Sequence, residues 1–403
     1  MKDGWHQKLL GDVCDVVNGG TPKTGVPNYW GGTHLWITPA EMGRRLSPYV
    51  DDTERKITDL GLRDSSARIL PPTSVILSSR APIGHLVINT KPMATNQGCK
   101  GLVPGSQLLP KFLYYYLSSI VDLLNSLGSG TTFKELSGGK LKEVPIPVAP
   151  LPEQRRIVGI LDEAFGGIAT TKDNVEKNLK NARALFESYL QSVFTQRDNG
   201  WVVKPLAELC DPSRVITYGV IKLGNEIPDG VPCLRTSNVR WLRFETEGMK
   251  RIAPALSSEY SRTILKGGEL LVNVRGTLGG VAVVTPEMAG WNVSREVAMV
   301  PIDPKRINPT FLSYMIGSGT SQKWLGGVKK GAAYVGINLE DLRLLPVSAP
   351  KMDEQLEVVR HLESLQVETR RLEALYQRKL VALEALKKSL LHQAFTGQLR
   401  AAS

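Results

Sequence analysis

Two arginines occupy equivalent places in two similar stretches of the chain. Arg80 follows the run Val75-Ile-Leu-Ser-Ser and precedes Ala-Pro-Ile-Gly84, and Arg275 follows Leu270-Leu-Val-Asn-Val and precedes Gly-Thr-Leu-Gly279. Each pattern predicts a strand, a tight turn around the arginine and a second strand. A guanidinium in such a turn can donate to a phosphate or to a guanine edge. The alternative interpretation is an arginine that only stabilises the turn.

A second group of polar residues precedes the next predicted strand of the first stretch. Asn96 and Gln97 carry amides, which pair with adenine through two hydrogen bonds, and Lys100 adds a positive charge. Their counterparts in the second stretch lie near Ser294 and Arg295. These residues are candidates for nucleic-acid contact, and the alternative is that they hold a turn.

Two glycine-rich segments also correspond. Gly128-Ser-Gly-Thr-Thr-Phe-Lys134 matches Lys329-Lys-Gly-Ala-Ala-Tyr334. Small residues let the backbone approach a phosphate closely, and hydroxyl and ammonium groups donate to it. The segments therefore predict phosphate contacts or, alternatively, flexible loops, and the candidate donors are Thr131, Thr132, Lys134, Lys329 and Lys330.

These matches belong to an internal repeat that runs along the whole chain. Residues 5–15 share their Trp, Lys, Leu, Cys and Asp positions with residues 201–211. Ala149-Pro150 and Ala349-Pro350 end the two copies in proline-rich edges. Because the offset between matched blocks stays near 195 to 201 residues, the sequence predicts a duplicated globular domain, at residues 1–150 and 199–350.

A long helical segment follows each globular copy, at residues 151–198 and 351–403. The apolar residues recur mainly at steps of three, four and seven, which is the pattern of a coiled-coil stripe. Two such stripes most simply bury each other as an antiparallel pair, and the alternative is two helices packed on their own domains. Gly166-Gly167 is expected to weaken the first helix. The predicted fold is α+β: two similar globular α/β domains separated by two long antiparallel coiled-coil helices, with pseudo-two-fold symmetry.

The composition narrows the functional classes. The 403 residues carry a net charge of +11, and most of the excess lies in the globular copies, with 16 basic and 12 acidic residues in 1–150 and 18 and 13 in 199–350. This excess indicates a polyanionic partner, although an ordinary basic protein would show it too. The four cysteines form no close pair, which argues against a zinc site and against disulfides. Cys14 and Cys210 are expected in the core.

Membrane and catalytic signals are missing from the sequence. No apolar run is long enough to span a membrane, and the first residues lack an apolar secretory segment, so we expect a cytoplasmic protein. There is no phosphate-binding loop, amino-methyltransferase Asn/Asp-Pro-Pro-Tyr/Phe motif, zinc-protease motif or nucleophile elbow. These observations favour a binding protein without a catalytic or metal site.

The order domain, helix, domain, helix resembles the specificity subunit of a type I restriction-modification enzyme. Each supporting motif is weak alone, but their order and duplication over nearly the whole chain are specific. The motifs are Ser78-Ser-Arg-Ala-Pro-Ile-Gly84, Asn96-Gln97-Gly98, Val144-Pro-Ile-Pro147 with Leu151-Pro-Glu-Gln154, and Leu390-Leu-His-Gln-Ala-Phe-Thr-Gly-Gln-Leu399.

This resemblance implies two target recognition domains, each reading half of an asymmetric, interrupted sequence in double-stranded DNA. It implies that the helices fix the spacer between the halves and dock two methyltransferase subunits, with motor/nuclease subunits joining for cleavage. The chain itself would hold no cofactor. S-adenosylmethionine, ATP and magnesium would belong to the partner subunits.

Two domains that read different half-sites should share their phosphate contacts and differ in their base contacts. Arg80 and Arg275 then fit phosphate positioning better than base reading. The copies diverge at residues 30–45 and 235–243, where Trp36 and Trp241 are candidates to pack on sugars. The candidates for base contact are Arg44, Arg45, Arg235, Asn238, Arg240 and Arg243.

Three other functions compete with this interpretation. A stand-alone repressor with two reading heads would normally use helix-turn-helix units, and none is clear in the sequence. A scaffold whose helices only join other proteins predicts no salt-dependent duplex binding. An autonomous nuclease or methyltransferase predicts turnover by the purified chain with magnesium or S-adenosylmethionine.

Overall fold

A computed structural model describes residues 4–130, 134–195, 200–329 and 336–399. The chain divides into two compact units. Unit 1 comprises Met1–Val175 and Arg378–Ser403, and unit 2 comprises Glu176–Gln377. Each unit therefore contains one copy of the globular repeat and the adjoining part of both long helices.

The elements of unit 1 that precede the first long helix are β1 (His6–Leu9), α1 (Leu10–Val13), β2 (Cys14–Asn18), β3 (Trp30–Ile37), α2 (Pro39–Arg44), β4 (Tyr49–Val50), β5 (Arg55–Ile57), α3 (Asp59–Arg63), β6 (Val75–Ser79), β7 (Ile83–Asn89), β8 (Met93–Thr95), β9 (Cys99–Pro104), α4 (Pro110–Ser119), α5 (Val121–Leu127), α6 (Gly138–Lys142) and β10 (Pro145–Val148). Helix α7 (Leu151–Thr195) then begins in unit 1 and ends in unit 2.

The elements that follow are β11 (Val202–Pro205), β12 (Thr217–Tyr218), β13 (Val231–Leu234), β14 (Val239–Arg240), β15 (Arg243–Phe244), β16 (Arg251–Ile252), α8 (Pro254–Glu259), β17 (Leu270–Asn273), β18 (Val281–Val283), β19 (Asn292–Val293), β20 (Val297–Val300), α9 (Pro309–Gly317), α10 (Gly319–Gly327), α11 (Leu339–Arg343) and β21 (Pro346–Ala349). Helix α12 (Met352–Thr396) begins in unit 2 and ends in unit 1. Short 3-10 turns lie at Pro27–Tyr29, Leu206–Leu209, Ser261–Thr263 and Pro286–Met288.

The two units share one sheet plan. The strand order β2-β9-β6-β7 in unit 1 recurs as β12-β20-β17-β18 in unit 2, and β5-β3-β8 recurs as β16-β13-β19. The pairs β3–β8 and β13–β19 are both parallel, and β1–β10 and β11–β21 are both antiparallel. The predicted α+β fold with two similar domains and two long helices is thus confirmed, and the sequence repeat is also a structural repeat.

The units differ at one edge of the larger sheet. In unit 1, strand β4 pairs in parallel with β7. In unit 2, the strands β14 and β15 instead form a two-stranded sheet of their own. The hairpin of unit 2 begins in the divergent segment 235–243, whereas β4 of unit 1 follows the divergent segment 30–45.

Each long helix contributes to the core of both units. In unit 1, Leu161 of α7 and Leu391 of α12 are buried with Phe112, whose ring lies 5.1 Å from that of Phe395. In unit 2, the rings of Phe194 and Phe311 lie 5.4 Å apart, and Val359 and Leu362 of α12 belong to the same core. Each helix therefore packs on both domains rather than only on its own, and the aromatic residues anchor it there.

The cysteines at equivalent positions of the repeat lie in these two cores. Cys14 belongs to the core of unit 1 and Cys210 to that of unit 2. Burial raises the pKa of each thiol to about 12, so both stay protonated and act as small apolar side chains.

The two helices also contact each other inside each unit. In unit 1, Arg156 donates to the carbonyl of Leu399 and Lys172 lies 3.3 Å from Glu384, so α7 and α12 run antiparallel there. In unit 2, Arg183 Nε lies 2.7 Å from Glu373 Oε1. Helix α7 continues through Gly166-Gly167.

The apolar stripe is buried less completely than two facing stripes predict. On α12, Leu375 is 38% exposed, Val381 64% and Leu386 47%. On α7, Leu185 is 60% exposed. Because one helix covers only one face of its neighbour, the remaining apolar side chains stay accessible along both helices.

A buried glutamine fixes the start of each long helix to its domain. Gln154 is fully buried, and its Oε1 accepts from the N–H of Leu109, while its Nε2 donates to the carbonyls of Gln107 and Ala149 at 2.8 and 2.7 Å. Gln355 repeats this in unit 2, accepting from the N–H of Asn308 and donating to a proline carbonyl. This geometry explains the glutamine that follows both proline-rich edges.

We expect the substitution Gln154→Leu to lower the free energy of unfolding by about 3 kcal/mol, since three buried backbone groups lose their partner at about 1–3 kcal/mol each. Denaturant unfolding of the full chain measures this. The exposed Gln377 on α12 is the matched control, and Gln377→Leu should change stability by about 0.5 kcal/mol or less. Equal effects of the two variants would contradict the role of the Gln154 side chain in fixing the helix start.

Candidate nucleic-acid interface

Arg80 lies at the end of β6, in the turn that leads to β7. Just after the turn, the second residue of β7 has a positive φ, and Gly84 (116°) adopts it without strain. The guanidinium Nη1 of Arg80 lies 3.5 Å from Glu135 Oε2, and the side chain is 34% exposed. Gly98 lies beneath it, because a Cβ there would stand 3.1 Å from Arg80 Cγ. Arg80 is therefore positioned by its neighbours and accessible at the surface.

The group Asn96, Gln97 and Lys100 separates into different roles. Asn96 holds a turn, since its Nδ2 donates to Thr21 Oγ1 at 3.0 Å and its Oδ1 accepts from the N–H of Gly98 at 2.8 Å. Gln97 is exposed. Lys100 is only 6% exposed, and its Nζ lies 3.8 Å from Glu135. The structure therefore favours the turn-holding alternative for Asn96, corrects Lys100 to a buried residue of the fold, and leaves Gln97 accessible to a ligand.

Arg275 occupies the equivalent turn of unit 2, after β17. Its guanidinium carbon lies 5.1 Å from the ring centroid of Tyr218, which holds the side chain by a cation–π contact. Arg275 lines a cavity of about 390 Å³ together with Arg262, Arg295 and Glu259. The cavity is a concave, positively charged surface at the position where the sequence predicted a phosphate contact.

The arginines of the divergent segment in unit 1 are both ion-paired. Arg44 on α2 lies 2.6 Å from Glu54, and both residues are 60% exposed. The guanidinium of Arg45 is 2.6 Å from Glu41, whose side chain is only 3% exposed. Arg45 therefore neutralises a buried carboxylate, whereas Arg44 stays accessible.

In unit 2 the divergent segment forms the hairpin β14–β15. Arg240 Nε and Arg243 Nη2 each lie 2.9 Å from a carboxylate oxygen of Glu245. Hydrogen bonds from Arg243 and then Arg240 lower the pKa of Glu245, so the group stays ionised in mildly acidic solution. Arg235 is half-buried just before the hairpin. Arg240 and Arg243 are therefore held in one charged cluster around Glu245 rather than as separate side chains.

Asn238 belongs to the framework of that segment. Its side chain is 3% exposed, its Oδ1 accepts from the N–H of Arg235, and its Nδ2 donates to the carbonyl of Glu245. Asn238 is therefore a turn-holding residue, which corrects its assignment as a base-contact candidate.

The two tryptophans differ in their accessibility to a sugar. Trp36 is 1% exposed, and its Nε1 donates to the carbonyl of Gly20 at 2.9 Å. Trp241 is 37% exposed, but its Nε1 donates to the carbonyl of Gly317 and its ring lies 5.8 Å from that of Phe186 on α7. The structure therefore corrects the expectation for the buried Trp36, whereas Trp241 remains a candidate whose ring is partly exposed.

The glycine-rich segments are described only in part. Lys134 and Lys329 are exposed. Thr131, Thr132 and Lys330 lie outside the described residues.

Two residues of the unit 2 cavity were not among the sequence candidates. Arg262 lies two residues before Ile264-Leu265, the pair that matches Ile69-Leu70 of the first copy. Its counterpart in the first copy is Ala67. Tyr218 lies on β12, whose short strand gave no pattern of its own. A search for residues shared by the two copies misses both, because each is present in the second copy alone.

The described residues contain no group of three or more His, Cys, Asp or Glu side chains placed to hold a metal ion. Within the same part of the chain, none of the helices is both long and apolar enough to cross a membrane.

The sequence of this chain is similar to those of known proteins. The family model of the type I restriction modification DNA specificity domain matches residues 2–181. The MjaIX specificity subunit of Methanocaldococcus jannaschii is 33% identical over 299 residues, covering 67% of this chain and 68% of that protein. The EcoBI specificity subunit of Escherichia coli is 26% identical over 353 residues, covering 82% of this chain and 74% of that protein.

Solved structures agree on the fold. A chain from work on complex assembly and conformational transition of the type I restriction-modification system has a TM-score of 0.77 at 19% identity, covering 99% of both chains. The HsdS subunit of Thermoanaerobacter tengcongensis has a TM-score of 0.63 at 20% identity, covering 99% of this chain and 98% of that one.

The repeated domains and their long helices have the fold of the solved specificity-subunit structure. The chain belongs to the family of type I restriction-modification specificity subunits.

We expect Asn96→Ala to lower the free energy of unfolding by about 1–3 kcal/mol, because two hydrogen bonds of a partly buried turn are lost. Gln97→Ala should leave stability within about 0.5 kcal/mol and weaken duplex binding instead. Denaturant unfolding and duplex titration of both variants separate the two roles. A stable Asn96→Ala variant with weakened binding would reverse this assignment.

Proposed function

We propose that each globular domain of this specificity subunit reads one half of an asymmetric, interrupted target in double-stranded DNA. The observation that carries the proposal is the combination of one repeated sheet plan with two different charged edges. Arg80 and Arg275 lie in the same turn of the two units. The divergent segments instead carry different sets of arginines, on α2 in unit 1 and on the hairpin β14–β15 in unit 2.

This division suits a bipartite target. A residue common to both domains is suited to phosphate contacts, which position a protein on a duplex without reading its sequence. Side chains that differ between the domains are suited to base edges, which carry the sequence in the major groove. Arg44, Arg235, Arg240 and Arg243 are the candidates that remain accessible or partly accessible in those segments.

The long helices are proposed to dock two methyltransferase subunits and to fix the spacer between the half-sites. Their exposed apolar side chains support this, since Leu185, Val381 and Leu386 are 60%, 64% and 47% exposed. Motor/nuclease subunits would join the assembly for cleavage. S-adenosylmethionine, ATP and magnesium would bind to those partners, and the complex would work in the cytoplasm.

Exchange of residues 1–150 for the corresponding domain of a divergent specificity subunit should change one half of the methylated sequence and leave the other half unaltered. Adenine-methylation sequencing of DNA modified by the reconstituted complex measures this. The matched exchange of residues 199–350 should change the opposite half. An unchanged target after both exchanges would overturn the proposal, while loss of all methylation by a complex that still assembles would contradict independent reading.

A matched pair of helix insertions tests the spacer. Four residues inserted after Asp173 in α7, with four after Leu383 in α12, preserve the antiparallel pairing near Lys172 and Glu384. Four helical residues add about 6 Å, or about two base pairs at 3.4 Å each, so the preferred spacer should lengthen by about that amount. Methylation sequencing measures the spacer, and replacement of four residues without a change in length is the control. An unaltered spacer would show that the helices do not set it.

A further inference from the structure

The turn arginines of the two units have structurally equivalent neighbours. Arg80 forms a backbone bridge with Glu135, and Arg275 forms the same bridge with Gly336. In both units the residue that follows this neighbour donates its N–H to the carbonyl of the residue preceding the arginine, at 2.9 and 2.8 Å. Glu135 of unit 1 therefore corresponds to Gly336 of unit 2. Since glycine has no side chain, unit 2 lacks the carboxylate that unit 1 has at this position.

This replacement changes the charge at the turn. In unit 1, one carboxylate serves two cations, since Glu135 lies 3.5 Å from Arg80 and 3.8 Å from Lys100. In unit 2, no carboxylate of the described residues lies within ion-pair distance of Arg275. The Tyr218 ring orients Arg275 instead. An aromatic face holds a guanidinium in place without cancelling its charge.

A second difference adds to the first. Asn96 and Ser294 are equivalent, because the N–H of each donates at 2.8 Å to the carbonyl of the last residue of β3 (Ile37) or β13 (Leu234). The residue that follows is the neutral Gln97 in unit 1 but Arg295 in unit 2. Arg295 lines the same cavity as Arg275.

The remaining charges of the cavity leave it positive. Arg262 is an exposed third cation on its wall, and Glu259 is an exposed carboxylate on the same wall. Three guanidinium groups thus face one carboxylate. Guanidinium groups bind phosphate oxygens through paired N–H donors. The cavity also contains the rings of Tyr218 and Tyr260, which suit an anion attached to a partly apolar group such as a sugar.

We propose that the cavity formed by Arg262, Arg275 and Arg295 binds a backbone phosphate of the duplex, and that Glu135 weakens the equivalent contact in unit 1. The second domain then supplies the larger share of the salt-dependent affinity, and the first domain depends more on contacts to its bases. This inference rests on the proposed function, since it assigns unequal phosphate binding to the two reading domains.

Salt-dependent binding of the full chain to a mixed-sequence duplex tests the proposal. Each lost phosphate contact lowers the slope of log K against log salt by about 0.9. We expect Arg275→Gln and Arg295→Gln each to lower the slope by about that amount, and Arg80→Gln by less than half of it. Lys305→Gln, which removes a charge from an exposed residue of unit 2 outside the cavity, should leave the slope nearly unchanged.

The variant Glu135→Gln isolates the effect of the carboxylate. It should raise duplex affinity several-fold, and Arg80→Gln made in that background should lower the slope as much as Arg275→Gln does in the wild type. Unfolding midpoints of all variants check that the fold is intact. The Tyr218→Phe variant is a conservative control, because it keeps the aromatic face beside Arg275. It should leave the slope of log K against log salt unchanged.

The outcomes distinguish a failure of unequal phosphate binding from a failure of the proposed DNA-reading function. A wild-type chain without salt-dependent duplex binding would remove the proposed function itself. Equal slopes for Arg80→Gln and Arg275→Gln, or no gain from Glu135→Gln, would overturn only the unequal binding. The Arg275→Gln variant could instead keep its affinity for the duplex and lose saturable binding of inorganic phosphate. That result would assign the cavity to a free phosphate and also overturn the proposal.

Discussion

The attachment of the long helices to the domain cores is the constraint on which the rest of the structure depends. Most of the stability of a helix in a protein comes from the packing of its apolar face, and here the two ends of each 45-residue helix enter the cores of two different units. Gln154 and Gln355 fix the helix starts by satisfying buried backbone groups, and Phe194 and Phe395 pack near the helix ends. An unsatisfied buried amide would cost more than the bond contributes, so these glutamines tolerate few other side chains.

Such attachment leaves the outer edges of each domain free to vary. The buried parts of both units use the same strands in the same order, whereas the edge strand β4 of unit 1 and the hairpin β14–β15 of unit 2 have no common plan. Trp36 and Trp241 show how the variable segments remain fixed to the domain, since both donate their indole N–H to a backbone carbonyl. The variable charged residues are therefore presented from a rigid support, which is what selective DNA binding requires.

Equivalent positions in a duplicated fold need not carry equivalent charge. Arg80 and Arg275 occupy one turn, yet a carboxylate accompanies the first and a tyrosine ring the second. A duplication preserves the backbone path because the core demands it, while the partners of a surface arginine are under no such demand. The two domains can thus share a fold and still present different charges at the same turn.

The sequence by itself determined the duplication, the two long helices, the α+β class and the family, because these are written in local periodicity and in motifs of contiguous residues. It also located the turn arginines and the exposed Gln97. Only the tertiary structure decided which polar side chains stay accessible. Lys100 and Trp36 are buried where segments from distant parts of the chain meet, and Glu135 reaches Arg80 only through the register of the folded unit. Arg262 joins Arg275 for the same reason. Burial and ion pairing depend on which segments meet, and the type of a residue records its chemistry but not its neighbours.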